Sequence, residues 1–322
     1  MCQVKKIMNN FAVIGVAGYV APRHLKAIKD TNNCLVAALD KSDSVGILDS
    51  FFPNAVFFTE FERFDRYLEM LRRKDPENAV QYVSICSPNY LHDAHCRFAL
   101  RIGADAICEK PVVLNPWNID ALEEVEQEFG KRIYTVLQLR LHPEIVALKE
   151  KVDKDSSNGP YDIDLTYITA RGRWYSYSWK GDEEKSGGVA TNIGVHFFDM
   201  LSWIFGHSVK SVVHYKRPDV MAGYLELSNA RVRWFLSLRF EDLPPEVAEK
   251  GKRSYRCITI NGKPFDFTDG FQDLHTRVYE KILEGNGFGL EDSRAGIEIV
   301  YNIRHADVTP NIGEKHPLCP KD

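Results

Sequence analysis

Short apolar runs recur through the first half of the chain, each followed by a stretch in which apolar residues return every third or fourth position. FAVIGV (11–16), CLVAALD (34–40), VQYVSICS (80–87), ADAICE (104–109) and RIYTVLQL (132–139) read as buried strands. The intervening PRHLKAIKD, EFERFDRYLEMLRRK, YLHDAHCRFALRIG and NIDALEEVEQEFGK each carry one apolar stripe and read as helices. Strands alternating with helices predict an α/β unit on a parallel, doubly wound sheet over residues 1–139.

Beyond residue 140 the period drops to two. IDLTYITA, KSVVHYK, AGYLEL, ARVRWFLSLRF and YRCITIN alternate apolar and polar positions, as half-exposed antiparallel strands do. Val232, Trp234, Leu236, Leu238 and Phe240 then share one face. Helices are expected near 187–205, 271–285 and 291–306. Residues 140–322 are therefore expected to form an α+β domain on a large, mostly antiparallel open sheet, entered through the turn-rich KDSSNGP (154–160). DLPPEVAEKGKRS (242–254) reads as a mobile surface loop, and no internal repeat is present.

Composition narrows the partners. A chain of 322 residues fits two domains, and 41 Lys plus Arg against 45 Asp plus Glu give a net charge of −4. That balance argues against nucleic acid or a membrane surface as the main partner, while local basic clusters leave room for a small anionic ligand. The seven cysteines are scattered without a CxxC pair, several in apolar runs, so reduced thiols and no metal are expected. With no signal-peptide pattern and no apolar stretch near ~20 residues, a soluble cytoplasmic protein is expected.

Candidate chemistry gathers at the strand ends. Gly15-Val16-Ala17-Gly18-Tyr19-Val20-Ala21 follows the first strand, and a helix opens at Pro22. Glycines at such a turn let the backbone approach a pyrophosphate, which the helix N-terminus binds through free N–H groups. The spacing departs from G-x-G-x-x-G, with the first glycine displaced by one position. Asp40 ends the second strand 22 residues after Gly18, where a carboxylate accepts from ribose hydroxyls and repels a 2′-phosphate, favouring NAD over NADP. Cys86, Ser87, Asn89 and His92 stand at the same sheet edge, although Ser87 or Asn89 would also cap the helix that follows. Glu109-Lys110-Pro111 ends the next strand, and Gln138 the last one.

The segment 166–201 is the richest in the chain. It sets Arg171, Arg173, Lys180 and Lys185 among Trp174, Tyr175, Tyr177 and Trp179, then turns through Gly187-Gly188 into a helix with Thr191, Asn192, His196 and Asp199. Guanidinium groups grip carboxylate or phosphate and aromatic faces stack on rings, which suits an anionic sugar or nucleotide. A solvated hairpin would account for the same composition. Asn192 and His196, four apart, fall on one helix face, where a histidine also suits an apolar core.

Glu109-Lys110-Pro111, the glycine turn with His24 three residues after Ala21, and G-G-x-x-x-N-x-G-x-H from Gly187 to His196 resemble the Gfo/Idh/MocA oxidoreductases along essentially the whole chain. The resemblance implies an N-terminal Rossmann domain that binds NAD through Gly15, Ala17, Gly18, Tyr19, Asp40, Cys86, Ser87, Asn89, His92, Glu109, Lys110 and Gln138. It also implies a C-terminal domain that supplies the substrate site and the interfaces of a homotetramer. Lys110 and His196 are the implied catalytic pair. Many sugar and inositol dehydrogenases of this family have Asp where this chain has Asn192, and an amide cannot accept a proton.

The long 171–201 segment, with SICSPNYLH and FQDLHTRVYEKIL, is similar to the branch that oxidises UDP-N-acetyl-2-amino-2-deoxy-D-glucuronate at C3 for bacterial surface polysaccharide such as O-antigen. That implies tightly held NAD, with 2-oxoglutarate as reoxidant in some members. It also implies a substrate site of Arg171 or Arg173 with Lys180 and Lys185, lined by Tyr175, Trp179, Thr191, Asn192 and His196. His196 suits the general base without tuning, whereas Lys110 would need its pKa lowered by burial and a cationic neighbour. Another sugar or cyclitol dehydrogenase, and a non-catalytic NAD-binding regulator, are the rival functions.

Overall fold

The computed structural model describes residues 8–154, 159–267 and 273–320. Cys2, positions 155–158 of the turn-rich connection and positions 271–272 of an expected helix lie outside the described residues. The strands are β1 (Asn10–Ile14), β2 (Cys34–Leu39), β3 (Val56–Phe58), β4 (Tyr82–Ile85), β5 (Asp105–Cys108), β6 (Ile133–Thr135), β7 (Tyr161–Thr169), β8 (Ser208–Lys216), β9 (Val220–Leu227), β10 (Ala230–Ser237), β11 (Ser254–Ile260) and β12 (Lys263–Phe265). The longer helices are α1 (Ala21–Asp30), α2 (Phe61–Lys74), α3 (His92–Arg101), α4 (Trp117–Phe129), α5 (Pro143–Lys154), α6 (Val195–Phe205), α7 (Leu274–Leu283) and α8 (Leu290–His305).

The first sheet runs β3-β2-β1-β4-β5-β6, with every neighbouring pair parallel. Strand order reverses at β1, so the chain leaves β1 and β4 in opposite directions and opens a crevice at their carboxyl ends. All five residues of β1 are buried, as a central strand covered on both faces requires. Helix α1 starts with Pro in its first turn, where the missing N–H costs nothing. Arg72, Arg73 and Lys74 close α2 against its negative end, while Phe64, Leu68 and Leu71 face inward. Strand β3, pairing with Ala37–Leu39, was not expected, because three residues after the Pro53 break offer no periodicity to read.

The chain divides into two compact units, but one cut at residue 139 does not separate them. The first takes in the chain up to Val113, Trp117–Gln138 and Asp273–Asp292; the second takes in Leu114–Pro116, the chain from Leu139 up to that last segment, and Ser293 onward. Helix α7, assigned by sequence to the second domain, thus belongs to the first. Its residues Leu274, Val278, Tyr279 and Ile282 are buried, and the Tyr279 ring stacks 5.8 Å from Phe11 of β1.

The second sheet runs β12-β11-β7-β10-β9-β8. It is mixed: β7 and β10 pair in parallel, and the other neighbours are antiparallel. Val232, Trp234, Leu236 and Leu238 are buried as expected, but Phe240 lies beyond β10 and is 46% exposed. The strands are also less half-exposed than alternation predicts. The opposite face buries Ile168, Ala170, Val220, Ala222 and Phe235 with Leu243, and Val247 and Cys319 pack against them. Residues 242–254 therefore do not form the simple surface loop expected: Leu243 anchors them, and Pro245–Ala248 is a helical turn.

Helix α5, also unexpected, belongs to this unit. Asp199 of α6 and Arg140, which precedes α5, form a buried bidentate ion pair with contacts of 2.7 and 3.1 Å. Gly194 and Gly223 let backbone and rings meet closely: a Cβ on Gly194 would sit 2.7 Å from Leu236, and one on Gly223 2.3 Å from the Val212 carbonyl and 2.4 Å from the Trp234 ring. Gly223→Ala should therefore destabilise the protein by about 3 kcal/mol or more, read as a lowered urea midpoint, because neither backbone nor indole can yield.

Candidate active site

In the first unit the chemistry collects where strand order reverses. Gly15 has φ +86°, and its N–H donates to the Leu39 carbonyl at 2.8 Å. A Cβ there would lie 2.7 Å from the Cys86 carbonyl and the Ser87 nitrogen, so the turns after β1 and β4 close on each other through this glycine. Asp40 braces the same turn, with Oδ2 accepting the Ala17 N–H and Oδ1 the Ser42 N–H, both at 2.9 Å. No side chain caps α1, and its first turn holds no acidic residue. An open helix N-terminus, a glycine cradle that excludes a Cβ and a carboxylate at the end of β2 fit a dinucleotide without 2′-phosphate.

The other expected cofactor residues divide in two. Tyr19 is 85% exposed beside the turn, with the Arg23 guanidinium 5.9 Å from its ring centre. Gln138 is partly buried, and its Oε1 has no hydrogen-bond partner among the described residues. Cys86, Ser87, Asn89 and His92 are buried. Ser87 Oγ lies 2.8 Å from His95 Nδ1. His92 links the two turns, with Nδ1 2.7 Å from the Pro111 carbonyl and Nε2 2.8 Å from the Ser87 carbonyl, and burial lowers its pKa. With both ring nitrogens engaged on backbone, His92 shapes the cofactor edge by holding the turns.

Glu109 is more deeply held than its sequence position suggests. Only 7% exposed, it accepts His24 Nε2 at 3.1 Å and His275 Nε2 at 3.0 Å on Oε1, and the Lys110 N–H at 3.2 Å on Oε2. Burial alone would raise its pKa, but the two imidazoles outweigh it and hold the carboxyl well below the usual range. Both oxygens are thus engaged within the protein, which assigns Glu109 to orienting Lys110 and leaves little for a ribose. Lys110 is half-buried, with a cis bond to Pro111. Burial lowers its pKa, Glu109 opposes that, and Arg23 adds to the lowering.

In the second unit the expected helix is α-helical over only part of its length. Ala190–Gly194 is π-helical and α6 begins at Val195, so Asn192 and His196 stand on either side of the change in pitch. Asn192 Nδ2 donates to the Tyr175 hydroxyl at 2.5 Å, and burial raises the Tyr175 pKa. Thr191 is fully buried with Gly187 packed on it, so it shapes the turn. The His196 ring stands 4.2 Å from Phe197 and 5.9 Å from Tyr167.

The cations of this segment are unequal. Lys185 pairs with Asp182 at 2.8 Å. Lys180 rests over the Trp174 and Trp179 rings at 5.4 and 5.6 Å. Arg171 and Arg173 are exposed, and Arg171 lines a cleft of about 460 Å³ with Thr169, Ala170, Gly172, Trp174, Arg253 and Ser254. Arg253 was missed from sequence, because it sits in a charged loop that β11 pairing carries next to Ala170.

These features define an oxidoreductase built to bind NAD, and the chain belongs to the Gfo/Idh/MocA family. Residues 9–137 match its NAD-binding Rossmann fold and residues 159–252 its C-terminal alpha/beta domain. The chain is similar to the WlbA (WbpB) dehydrogenase from Thermus thermophilus, solved with NAD and alpha-ketoglutarate: 51% identity, TM-score 0.92, covering 97% of this chain and 100% of that one. The same dehydrogenase in complex with NAD and UDP-GlcNAcA aligns at 50% identity with the same TM-score and coverage. D-glucoside 3-dehydrogenase from Escherichia coli is 30% identical over 135 residues, 40% of this chain and 37% of that protein. The first curated relatives are thus matched over 38% and 37% of their own lengths.

Two outcomes follow. Asp40→Ala removes the brace on Ala17 and the carboxylate at the end of β2, and should weaken NAD binding by about tenfold or more in a fluorescence titration while narrowing the preference over NADP. His95 is held neutral by burial, its pKa lowered to about 4 from 6.5. Unfolded chains take up that proton near 6.5 and the fold does not until about 4, so stability falls as pH drops through this window. His95→Gln should flatten the decline in unfolding free energy between pH 7 and 4, read by urea titration, by on the order of 1–3 kcal/mol.

Proposed function

We propose that this chain oxidises the C3 hydroxyl of UDP-N-acetyl-2-amino-2-deoxy-D-glucuronate to the 3-oxo sugar nucleotide, for the synthesis of bacterial surface polysaccharide. The observation that carries the reading is the full-length, 50% identical relative captured with NAD and UDP-GlcNAcA. NAD, held at the glycine turn and the end of β2, would supply the acceptor for the C3 hydride. His196 takes the hydroxyl proton, since a neutral imidazole suits that role at physiological pH. The Lys110 ammonium, oriented from its backbone by Glu109, donates to the same oxygen and stabilises negative charge as it develops. Asn192 positions substrate and transfers no proton, and the bond its Nδ2 donates to the Tyr175 hydroxyl holds the amide in one orientation.

Arg171 and Arg253, on one cleft, bind the anionic part of the substrate, joined by Arg173, while the rings near Lys180 offer stacking surface. In this reading Lys185, tied to Asp182, contributes least. The relative's complex with alpha-ketoglutarate favours 2-oxoglutarate as the acceptor that reoxidises bound NADH, giving 2-hydroxyglutarate. A homotetrameric, cytoplasmic enzyme completes the proposal. Among the described residues no helix is long and apolar enough to cross a membrane.

Purified protein mixed with UDP-GlcNAcA should develop NADH absorbance that 2-oxoglutarate abolishes, and free polyols should give none. Activity on a free polyol alone would establish the rival dehydrogenase, and no turnover of any sugar would favour the regulator. Lys110→Met should abolish turnover and His196→Asn should cut kcat by about 100-fold or more with NAD still bound. A substantial rate in His196→Asn beside a dead Lys110→Met would transfer the base role to Lys110. Arg253→Ala should raise KM about tenfold with little change in kcat. Equal binding of UDP-N-acetylglucosamine and its uronic acid would remove carboxylate recognition from the proposal.

A further inference from the structure

Around Glu109 the first unit buries more polar chemistry than a strand end requires. His24 Nδ1 lies 2.7 Å from the Tyr279 hydroxyl, which lies 2.6 Å from Ser84 Oγ. His24, Tyr279 and Ser84 are fully buried, and His275 nearly so. The hydrogens in this chain have one consistent order. An ionised carboxylate only accepts, so both histidines present Nε2–H to Glu109. A neutral His24 then accepts at Nδ1, Tyr279 must donate to it, and the Tyr279 oxygen is left to accept from Ser84. Every dipole therefore points at Glu109, and hydrogen bonds aligned in this way strengthen one another.

We propose that His24, His275, Tyr279 and Ser84 form a positioning relay that fixes the Glu109 carboxylate and, through it, holds the Lys110 backbone. The proposal rests on the catalytic role assigned to Lys110. It also gives a function to the return of Asp273–Asp292 to the first unit, since that segment supplies two of the four relay residues. The groups that act on Glu109 or on Lys110 are His24 and Arg23 from α1, the latter through Lys110, His275 and Tyr279 from α7, Cys86 after β4, Cys108 of β5, His92 of α3 and Lys110 itself. Arg23 and Lys110 are the cations among them. Glu109 raises the Lys110 pKa while burial and Arg23 lower it, so loosening Glu109 moves the loss of the Lys110 proton to lower pH.

Three variants of the full-length, NAD-loaded protein test the relay: Tyr279→Phe, His275→Leu and His275→Gln. The first readout needs no activity. In 15N-histidine-labelled wild-type protein at pH 7, with signals assigned through His24→Gln and His275→Gln, nuclear magnetic resonance should find both histidines as Nε2–H tautomers. For turnover of UDP-GlcNAcA, Tyr279→Phe and His275→Leu should lose about tenfold in kcat with KM changed less than about threefold. The alkaline limb of their pH profiles should move to lower pH by about half to one unit. His275→Gln retains an N–H at the Nε2 position and should recover both to within about twofold.

An Nδ1–H tautomer or an imidazolium at either histidine would overturn the relay, as would a kcat and alkaline limb unchanged in His275→Leu while only its melting temperature falls. The same three side chains, His24, Glu109 and His275, bring ligand atoms within 4.8 Å of one another. Stoichiometric zinc in the purified protein would make them a metal centre and overturn the proposal as well. If wild-type protein turns over no UDP-sugar, the functional reading fails, and the tautomers still decide the relay.

Discussion

A carboxylate that stays ionised while nearly out of water is the constraint on which the first unit depends. Glu109 ends β5 at 7% exposure, and a lone charge there would cost several kcal/mol. The fold offsets this with donors from three directions: α1 supplies His24, α7 supplies His275, and the Lys110 amide comes from the next peptide. Two of these lie far apart in sequence, so α1 and α7 must pack together for the end of β5 to be stable. The chain accordingly leaves the first unit, builds most of a second, and returns. Packing of Tyr279 on Phe11 ties the same helix to the central strand, so the apolar core and the buried anion impose the same topology.

The sequence made the parallel sheet legible because its strands are central and buried on both faces, so each reads as an apolar run between glycines or polar residues. It was less informative where a strand is short or a pairing is remote. Val56–Phe58 has too few residues to show a period. The parallel pairing of β7 with β10 joins segments about sixty residues apart, and no local pattern states a partner. Helix α5 was hidden because its apolar positions, with only Ile145 and Val152 buried, give a weak stripe. The return of α7 could have been suspected: His275 and Tyr279 are four apart, and on a helix that places two polar rings on one otherwise apolar face.

Legibility of the site followed a similar division. Gly15, Asp40, Glu109 and Lys110 could be singled out because backbone geometry or a charge at a strand end demands a particular residue type. What each one touches was not available. Asp40 braces the turn at Ala17, His92 holds two turns together, and Glu109 is engaged within the protein. The basic and aromatic segment was read as a clamp of Arg171 or Arg173 with Lys180 and Lys185, yet Lys185 is tied to a neighbouring carboxylate and Lys180 to indole faces. Arg253 joins Arg171 only because β11 lies beside β7, a relation that depends on the whole sheet.

The amide at position 192 has a physical consequence that reaches beyond the loss of one base. A carboxylate there could share a proton and would draw the neighbouring imidazole toward its charged form. Asn192 does neither, and its Nδ2 is committed to the Tyr175 hydroxyl, which leaves its carbonyl as the acceptor available for other contacts. The substitution therefore exchanges a mobile negative charge for a fixed dipole. For a substrate that itself carries a carboxylate and two phosphates, that exchange removes a like charge from the site, where repulsion in a partly desolvated setting would cost more than in water. An amide at position 192 thus fits an anionic sugar nucleotide better than a neutral polyol, and under the proposed function the proton would pass to an imidazole, which is neutral at physiological pH without a carboxylate beside it.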